Sequence, residues 1–337
     1  MPENKNIFHI CLCADNNYIR HCAVTMLSVK RSNPHTDICY HLVIGETLTG
    51  DNRRKCEQFA AQNRINLQIH VIDESLLDGV KFRQKRPLSK AAYYRLLLSS
   101  ALPEDIDKVL YLDSDILVLR DITPLLKLDI AGYALAATRD MSTMHEGHRL
   151  QLRLPYKQPY FCSGMMLVNL KYWRENNVEP MLIELAKRER TVYYHDQDVL
   201  NYAFKGHWFR LSPVWNRFYP VFYPDSHFEN DSDRYVLEHN PYIVHFFNYF
   251  KPWNAFKIKG KLWDKYRGIY AGCLSMTPWK GAPLNTSHLN DRDSYRMYSR
   301  YKWETFFYRI NMHGFYLNLL AFNYFFNKII LRRGDDK

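Results

Sequence analysis

Two carboxylates one residue apart, Asp113 and Asp115, interrupt the apolar run VLYLDSDILVL between Val109 and Leu119. An apolar run of this length, rich in β-branched residues and Leu, reads as a strand buried on both faces. Desolvating a carboxylate costs several kcal/mol unless a cation neutralises it. No cationic residue stands beside the pair in the chain. Asp-x-Asp spacing at a strand end lets both groups reach one hard divalent ion, Mg2+ or Mn2+, which keeps positions open for phosphate oxygens. The chemistry suggested is a metal-diphosphate site. The other reading is a strand that ends at Asp113, with Asp115 solvated in a turn.

Four more segments carry groups of the right type. Asp15-Asn16-Asn17-Tyr18 offers a carboxylate, amides and an aromatic plane, suited to a pyrimidine ring and ribose, but is equally an ordinary helix-capping turn. Arg95 follows two tyrosines and reads as a diphosphate clamp or a surface ion pair. HDQDVLN supplies Asp196, Gln197 and Asp198 at a helix start, where the macrodipole also favours carboxylates. HFFNYFKPW joins the metal-capable His245 to Lys251, a cation able to offset diphosphate charge.

The elements that must position these groups alternate. Strands are expected over Ile7–Ala14, Ile38–Ile44, Leu67–Val71 and Val109–Leu112, and later over Met165–Asn169 and Tyr242–Phe246. Helices are expected over Ile19–Arg31, from a Thr49 cap to Asn63, from a Ser89 cap over Lys90–Ser100, and over Pro180–Arg188 and Asp198–Phe204. The stretch from Pro213 to Asn240 reads as loops. Such alternation predicts an α/β fold: a mostly parallel sheet with helices on both faces, and ligands at the carboxyl ends of the strands. Asp15 and Asp113 both fall at such ends.

The chain has 337 residues, 47% of them hydrophobic, and a net charge of +11. It is long and apolar enough for a large core, which excludes wholesale disorder, and its charge favours an anionic partner. No run reaches the roughly 18 apolar residues of a membrane span, and no signal peptide is expected. The seven cysteines, without C-x-x-C spacing, point to buried thiols rather than a zinc or disulfide framework. Between Tyr295 and Phe326, 13 of 32 residues are aromatic, and from Arg292 onward nine Lys/Arg face four Asp/Glu. This tail reads as an interfacial anchor on anionic lipid, or as helices packed on the rest of the protein.

Taken in order, these residues resemble glycosyltransferase family 8 from about Ile7 to Trp253. The tail, especially TPWKGAPL at Thr277–Leu284, is similar to the extension of bacterial lipopolysaccharide core glucosyl- and galactosyltransferases. The resemblance implies a single Rossmann-like nucleotide-sugar domain, residues 1–260, with a helical, basic, aromatic, membrane-associating extension, 261–337. It implies retaining transfer of glucose or galactose from a UDP-sugar to a saccharide acceptor. By position, Asp113, Asp115 and His245 would hold Mn2+ or Mg2+. Asp15, Asn17 and Tyr18 would hold the uridine. Ser114 and Lys251 would contact the donor, the latter at the diphosphate. Arg95, Asp196 and Gln197 would surround the hexose, and Asp140 the acceptor. The catalytic set is therefore Gln197, Asp196 and Asp140. The implied partners are a UDP-hexose, a lipid-linked oligosaccharide and an anionic membrane on its cytoplasmic side, without nucleic acid. Two departures from the family pattern stand out: Cys162-Ser163-Gly164 replaces Asn-Ala-Gly, and Asn248 replaces Gly. The rival readings are a haloacid-dehalogenase-like phosphatase, whose motif prefers Thr or Val where Leu117 stands, and a nonenzymatic polyanion- or membrane-binding protein.

Overall fold

The computed structural model describes residues 7–81, 89–140, 152, 154, 158–188, 194–219, 230–246, 250–254 and 261–281, and seven single positions between 299 and 319. A seven-stranded sheet carries the fold. Its strands are β1 (Phe8–Ala14), β2 (Ile38–Ile44), β3 (Asn66–Val71), β4 (Lys108–Leu112), β6 (Leu135–Arg139), β7 (Phe161–Asn169) and β8 (Phe209–Leu211), in the order β3-β2-β1-β4-β7-β6-β8. Pairs β1–β2, β2–β3, β1–β4 and β6–β8 are parallel; β7 runs antiparallel to β4 and β6. A second sheet has the order β5-β10-β9, from β5 (Ile116–Val118), β9 (Arg217–Tyr219) and β10 (Ile243–Phe246).

Among the described residues the continuous helices in chain order are α1 (Ile19–Ser32), α2 (Gly50–Asn63), α3 (Leu98–Ala101), α4 (Thr123–Leu126), α5 (Leu170–Glu175), α6 (Val178–Ala186), α7 (Asp196–Phe204), α8 (Asp231–His239) and α9 (Lys261–Ser275). They cover both faces of the large sheet, as alternation of side chains in a doubly buried strand requires. Ile10, Leu12 and Ala14 of β1 pack with α1, α2 and α9, while Cys11 and Cys13 pack with Tyr93, Tyr94, Trp173 and α7. The caps behave as expected. Thr49 Oγ1 accepts from Asn52 N at 3.3 Å, and Ser89 Oγ accepts from Ala91 N at 3.1 Å.

Three sequence expectations need correction. The apolar run around Asp113 is two strands in two sheets, since the chain leaves β4 at Asp113 and enters β5 at Ile116. Past Ser89 the chain makes a 3-10 helix, Lys90–Leu96, before the single turn of α3, not one continuous helix. The stretch read as loops holds a 3-10 turn at Pro213–Trp215, then β9 and α8, whose cap Asn230 accepts from Asp233 N at 2.8 Å.

The switch of sheets is stabilised from α1. Thr25 Oγ1 donates to the carbonyls of Ser114 and Ile116 at 3.1 and 2.9 Å, Ser28 Oγ accepts from Val118 N at 3.0 Å, and Ser32 Oγ donates to Val118 O at 2.9 Å. Hydroxyls on one helix face thus satisfy an edge of β5 that would otherwise be open. Helix α9 docks on the same side through Trp263, Tyr266 and Tyr270, and Trp279 Nε1 donates to Asn52 Oδ1 at 2.9 Å. Among the described residues no helix is long and apolar enough to cross a membrane.

Candidate active site

β1 and β4 are parallel neighbours, with Cys11 opposite Tyr111, so Asp15 and Asp113 leave the sheet at the same edge. Asp113 N donates to Gly164 O at 2.8 Å, the last rung between β4 and β7, and Phe246 N donates to Asp115 O at 3.0 Å. These bonds hold the two carboxylates between the sheets. β10, antiparallel to β5 with His245 opposite Ile116, brings His245 in from the far side. Ligand atoms of Asp113, Asp115 and His245 all lie within 4.8 Å of one another.

Each carboxylate has one oxygen tied down and one turned inward. Asp113 Oδ1 accepts from Tyr111 Oη and pairs with Arg95 Nη2, both at 2.8 Å, and its Oδ2 is 3.9 Å from His245 Nε2. Asp115 Oδ2 accepts from Lys251 Nζ, which also donates to Phe246 O at 2.7 Å. Asp115 Oδ1 is buried 3.2 Å from His245 Nε2 without a well-directed hydrogen bond. Gly164 keeps the space between them open: a Cβ there would come within 2.4 Å of His245 Cε1 and 2.6 Å of Asp113 Oδ2. A buried carboxylate oxygen whose polar neighbour is an imidazole nitrogen, with a second carboxylate beside it, around a space that admits no methyl group, fits a divalent cation of the Mn2+ or Mg2+ class.

The pair has no cationic neighbour in sequence, but two cations reach it in the fold. Arg95 and Lys251 both reach it from distant segments. Burial opposes ionisation of Asp115, but Lys251 and His245 outweigh it and hold its pKa well below the carboxylate range. Burial likewise opposes charge on His245, yet Asp115 dominates and raises it to about 10. Without metal the imidazole therefore carries a proton, which a metal ion must displace to bind.

Arg95 is neither a surface ion pair nor a free arm. It is buried, and it is held charged by Asp113 and Asp196 against the burial that opposes its charge. Its Nη1 donates to Ser163 O at 3.1 Å, and its Nε lies 3.3 Å from Asp196 Oδ2. From there a polar chain runs outward. Ser163 Oγ donates to Asp196 Oδ2 at 2.8 Å, Ser163 N donates to Gln197 Oε1 at 3.0 Å, and Gln197 Nε2 donates to Asp140 Oδ2 at 2.8 Å. Every group expected around the hexose and acceptor is thus linked to the carboxylate pair. Burial chiefly raises Asp196, to about 6, against the pull of Arg95.

Two devices fix α7, which carries Asp196 and Gln197. Asn201 exchanges two hydrogen bonds with the Phe161 backbone at 2.8 and 2.9 Å, fastening the helix to β7. His195, just before the helix, sits at φ 52°, ψ −122°, a conformation costly for a residue with a Cβ.

Asp15 Oδ1 accepts from the backbone N–H groups of Asn17 and Tyr18 at 2.9 and 3.1 Å, leaving the Asn17 and Tyr18 side chains exposed. The Tyr18 ring meets Trp253 edge-on at 6.1 Å between centroids, and Trp253 stacks on His21 at 3.8 Å. Tyr18 thereby stands beside the Lys251 segment, joining the nucleoside-type turn to the carboxylate pair. Ser114 is held by its carbonyl to Thr25. Asn248 lies outside the described residues.

Sequence reasoning missed Tyr111 as part of the site and gave Ser163 and Gly164 no individual role. Tyr111 is an alternate position of the same strand, facing the Arg95 side, and only this period could have suggested it. The resemblance set Cys162-Ser163-Gly164 near the donor sugar, with Cys162 and Ser163 departing from the family pattern and Gly164 matching it. In place, Cys162 Sγ lies 3.8 Å from His245 Nδ1, and Ser163 joins Arg95, Asp196 and Gln197.

Residues 9–257 match the model of glycosyl transferase family 8. The chain is 29% identical over 285 residues to General stress protein A of Bacillus subtilis, covering 82% of this chain and 96% of that one. It is 26% identical to the lipopolysaccharide 1,2-glucosyltransferase of Escherichia coli K12, covering 82% and 80%. Among solved structures it resembles the galactosyltransferase LgtC in complex with donor and acceptor sugar analogues, with a TM-score of 0.69 and 26% identity over 81% of this chain and 99% of that one. A variant of the same enzyme carries a glutamine-to-glutamate change in its active site. With the family model matching most of its length, the chain belongs to glycosyl transferase family 8 and is a glycosyltransferase.

Proposed function

We propose that this enzyme transfers glucose or galactose from a UDP-sugar to a lipid-linked saccharide, with retention at the anomeric carbon. The observation that carries the reading is the convergence of Asp113, Asp115 and His245 at the sheet edge where Asp15 and Tyr18 also emerge. The relatives that act on lipopolysaccharide and the neighbour that binds donor and acceptor analogues support a saccharide acceptor of that kind.

A divalent ion held by Asp113, Asp115 and His245 would carry the charge that develops on the diphosphate as UDP leaves. Lys251 adds positive charge beside Asp115. Tyr18, with Asp15 shaping its turn, presents an aromatic plane to the uracil, Asn17 joins them in holding the uridine, and Ser114 contacts the donor. Arg95 acts through Asp113, Asp196 and Ser163, fixing their positions rather than reaching outward. Gln197 is held with its amide nitrogen on Asp140 and its oxygen on Ser163 N. An amide oxygen is too weakly basic to serve well as a covalent nucleophile, so Gln197 orients the acceptor and stabilises the cationic sugar. Asp140 faces the acceptor side and Asp196 lies beneath the hexose.

Residues 261–337 form the extension of the 1–260 transferase domain, with its first helix docked and its basic, aromatic remainder resting on the cytoplasmic face of the membrane. Residues 282 onward, apart from single positions, lie outside the described residues. The test is a screen of UDP-sugars for metal-dependent hydrolysis, followed by proton NMR of the product. UDP-glucose or UDP-galactose should be turned over only with Mn2+ or Mg2+, and the anomeric coupling should be small, of the α type. A large coupling, or hydrolysis without metal, rejects the reading.

A further inference from the structure

A second cluster of metal-ligating groups lies away from this site, on three neighbouring strands. His9 stands opposite Cys39 in the β1–β2 register, and His41 and His70 continue the same face across β2 and β3. His9 Nδ1 is 3.0 Å from His41 Nε2, and His41 Nδ1 is 2.9 Å from His70 Nε2. Ligand atoms of His9, Cys39 and His41 all lie within 4.8 Å of one another. Cys39 and His41 are buried and His9 is partly exposed, so the trio has an opening at the start of β1. Asp15 closes the other end of β1, about 20 Å away at the usual rise per strand residue. The active site therefore does not use these groups.

We propose that His9, Cys39 and His41 form a binding site for a borderline-soft divalent ion of the zinc class, with His70 as the group that orients His41. Three observations carry it. Two imidazole nitrogens of one tetrahedral zinc sit about 3.3 Å apart, given Zn–N bonds of about 2.0–2.1 Å, and the pair here is 3.0 Å apart before any adjustment. His41 has one nitrogen engaged by His70 and the other aimed at His9, the arrangement in which a metal-ligating imidazole is held by a partner on its far nitrogen. The third donor is sulfur. A nitrogen and thiolate set selects zinc-class ions, while the two carboxylates and one imidazole of the active site suit Mn2+ or Mg2+, so the two sites sort cations by donor type. On binding, the proton shared between His9 and His41 moves to His9 Nε2, and the Cys39 thiol releases its proton to solvent. Three protein ligands leave a fourth position for water.

The test uses the full-length protein stripped of metal, with Asp113→Asn in the background to silence the active site. Co2+ serves as the spectroscopic probe and Zn2+ as the ligand. The background protein should bind one equivalent of Zn2+ and bind Mn2+ at least 100-fold more weakly. Its Co2+ form should show a thiolate-to-cobalt charge-transfer band. Cys39→Ser should lose that band, and His9→Gln should weaken Zn2+ binding at least tenfold. Both variants must keep the far-ultraviolet circular dichroism of the parent, which separates lost ligation from lost folding. Zn2+ stoichiometry and affinity unchanged in both variants, or a band that persists in Cys39→Ser, would overturn the proposal and leave only a hydrogen-bonded row of histidines.

Discussion

At the scale of single residues, the site is a set of charges held in place by other charges, and its cost is measurable. Asp196 has a folded-state pKa raised to about 6, chiefly by burial. The folded protein therefore binds more protons than the unfolded chain between about pH 4 and 6, so stability falls as pH rises through that window. A shift of that size corresponds to on the order of 2–3 kcal/mol above pH 6. Asp196→Asn, which can still accept from Ser163, should unfold at higher urea than the parent at pH 7.5 and at a similar concentration at pH 4. The measurement is urea unfolding in EDTA at both pH values, and an equal gap at both would contradict it. Gly164 makes a sharper case. A methyl group there collides with His245 and Asp113, neither of which can move without giving up its partners. Gly164→Ala should lower metal-dependent UDP affinity at least tenfold in calorimetry while the far-ultraviolet spectrum stays that of the parent.

At the scale of elements, each catalytic group depends on a strand or helix end fastened by side chains distant in sequence. Asn201 does this for α7 by closing both open hydrogen-bonding groups of Phe161. Asn201→Ala strands a buried N–H and C=O, at about 1–3 kcal/mol for each. It should also lower kcat more than it raises KM for donor hydrolysis, because Gln197 lies one turn away on the same helix. A stability loss with kcat unchanged would show that Gln197 needs no such support. The alternating first half was legible because its apolar periods and caps are local: β1, α1, β2 and α2 lie where Ile10, Thr49 and Pro34 place them. The break at Asp113 was legible as chemistry but not as a change of sheet. That change depends on Gly164, Phe246 and the Thr25–Ser28–Ser32 hydroxyls, all remote in sequence. The α8 segment was missed because its few apolar residues left polarity and Pro213 to dominate the pattern. The direct pairing of Arg95 with Asp113 and of Lys251 with Asp115 was hidden for a different reason, since an ion pair across 18 or 136 positions leaves no mark on spacing.

At the scale of the whole molecule, the described fold ends in a helix packed on the transferase core, and the sequence beyond it is basic and aromatic. Each basic residue near an anionic surface contributes on the order of 1 kcal/mol, screened beyond about 8–10 Å at physiological salt. Truncation before Arg292 should therefore release the protein from vesicles containing anionic lipid and spare donor hydrolysis, because every assigned catalytic residue lies upstream. Cosedimentation of the two proteins at low and high salt measures it, and equal binding by both would assign the tail to packing instead. The central claim is that Asp113, Asp115 and His245 hold the ion through which the donor binds. Calorimetry of UDP with and without Mn2+ tests it most directly, on the parent protein and on Asp113→Asn and Asp115→Asn. The parent should bind UDP tightly only with Mn2+, and both folded variants should lose that binding by a factor of 100 or more. Variants that bind UDP and Mn2+ as tightly as the parent would contradict it.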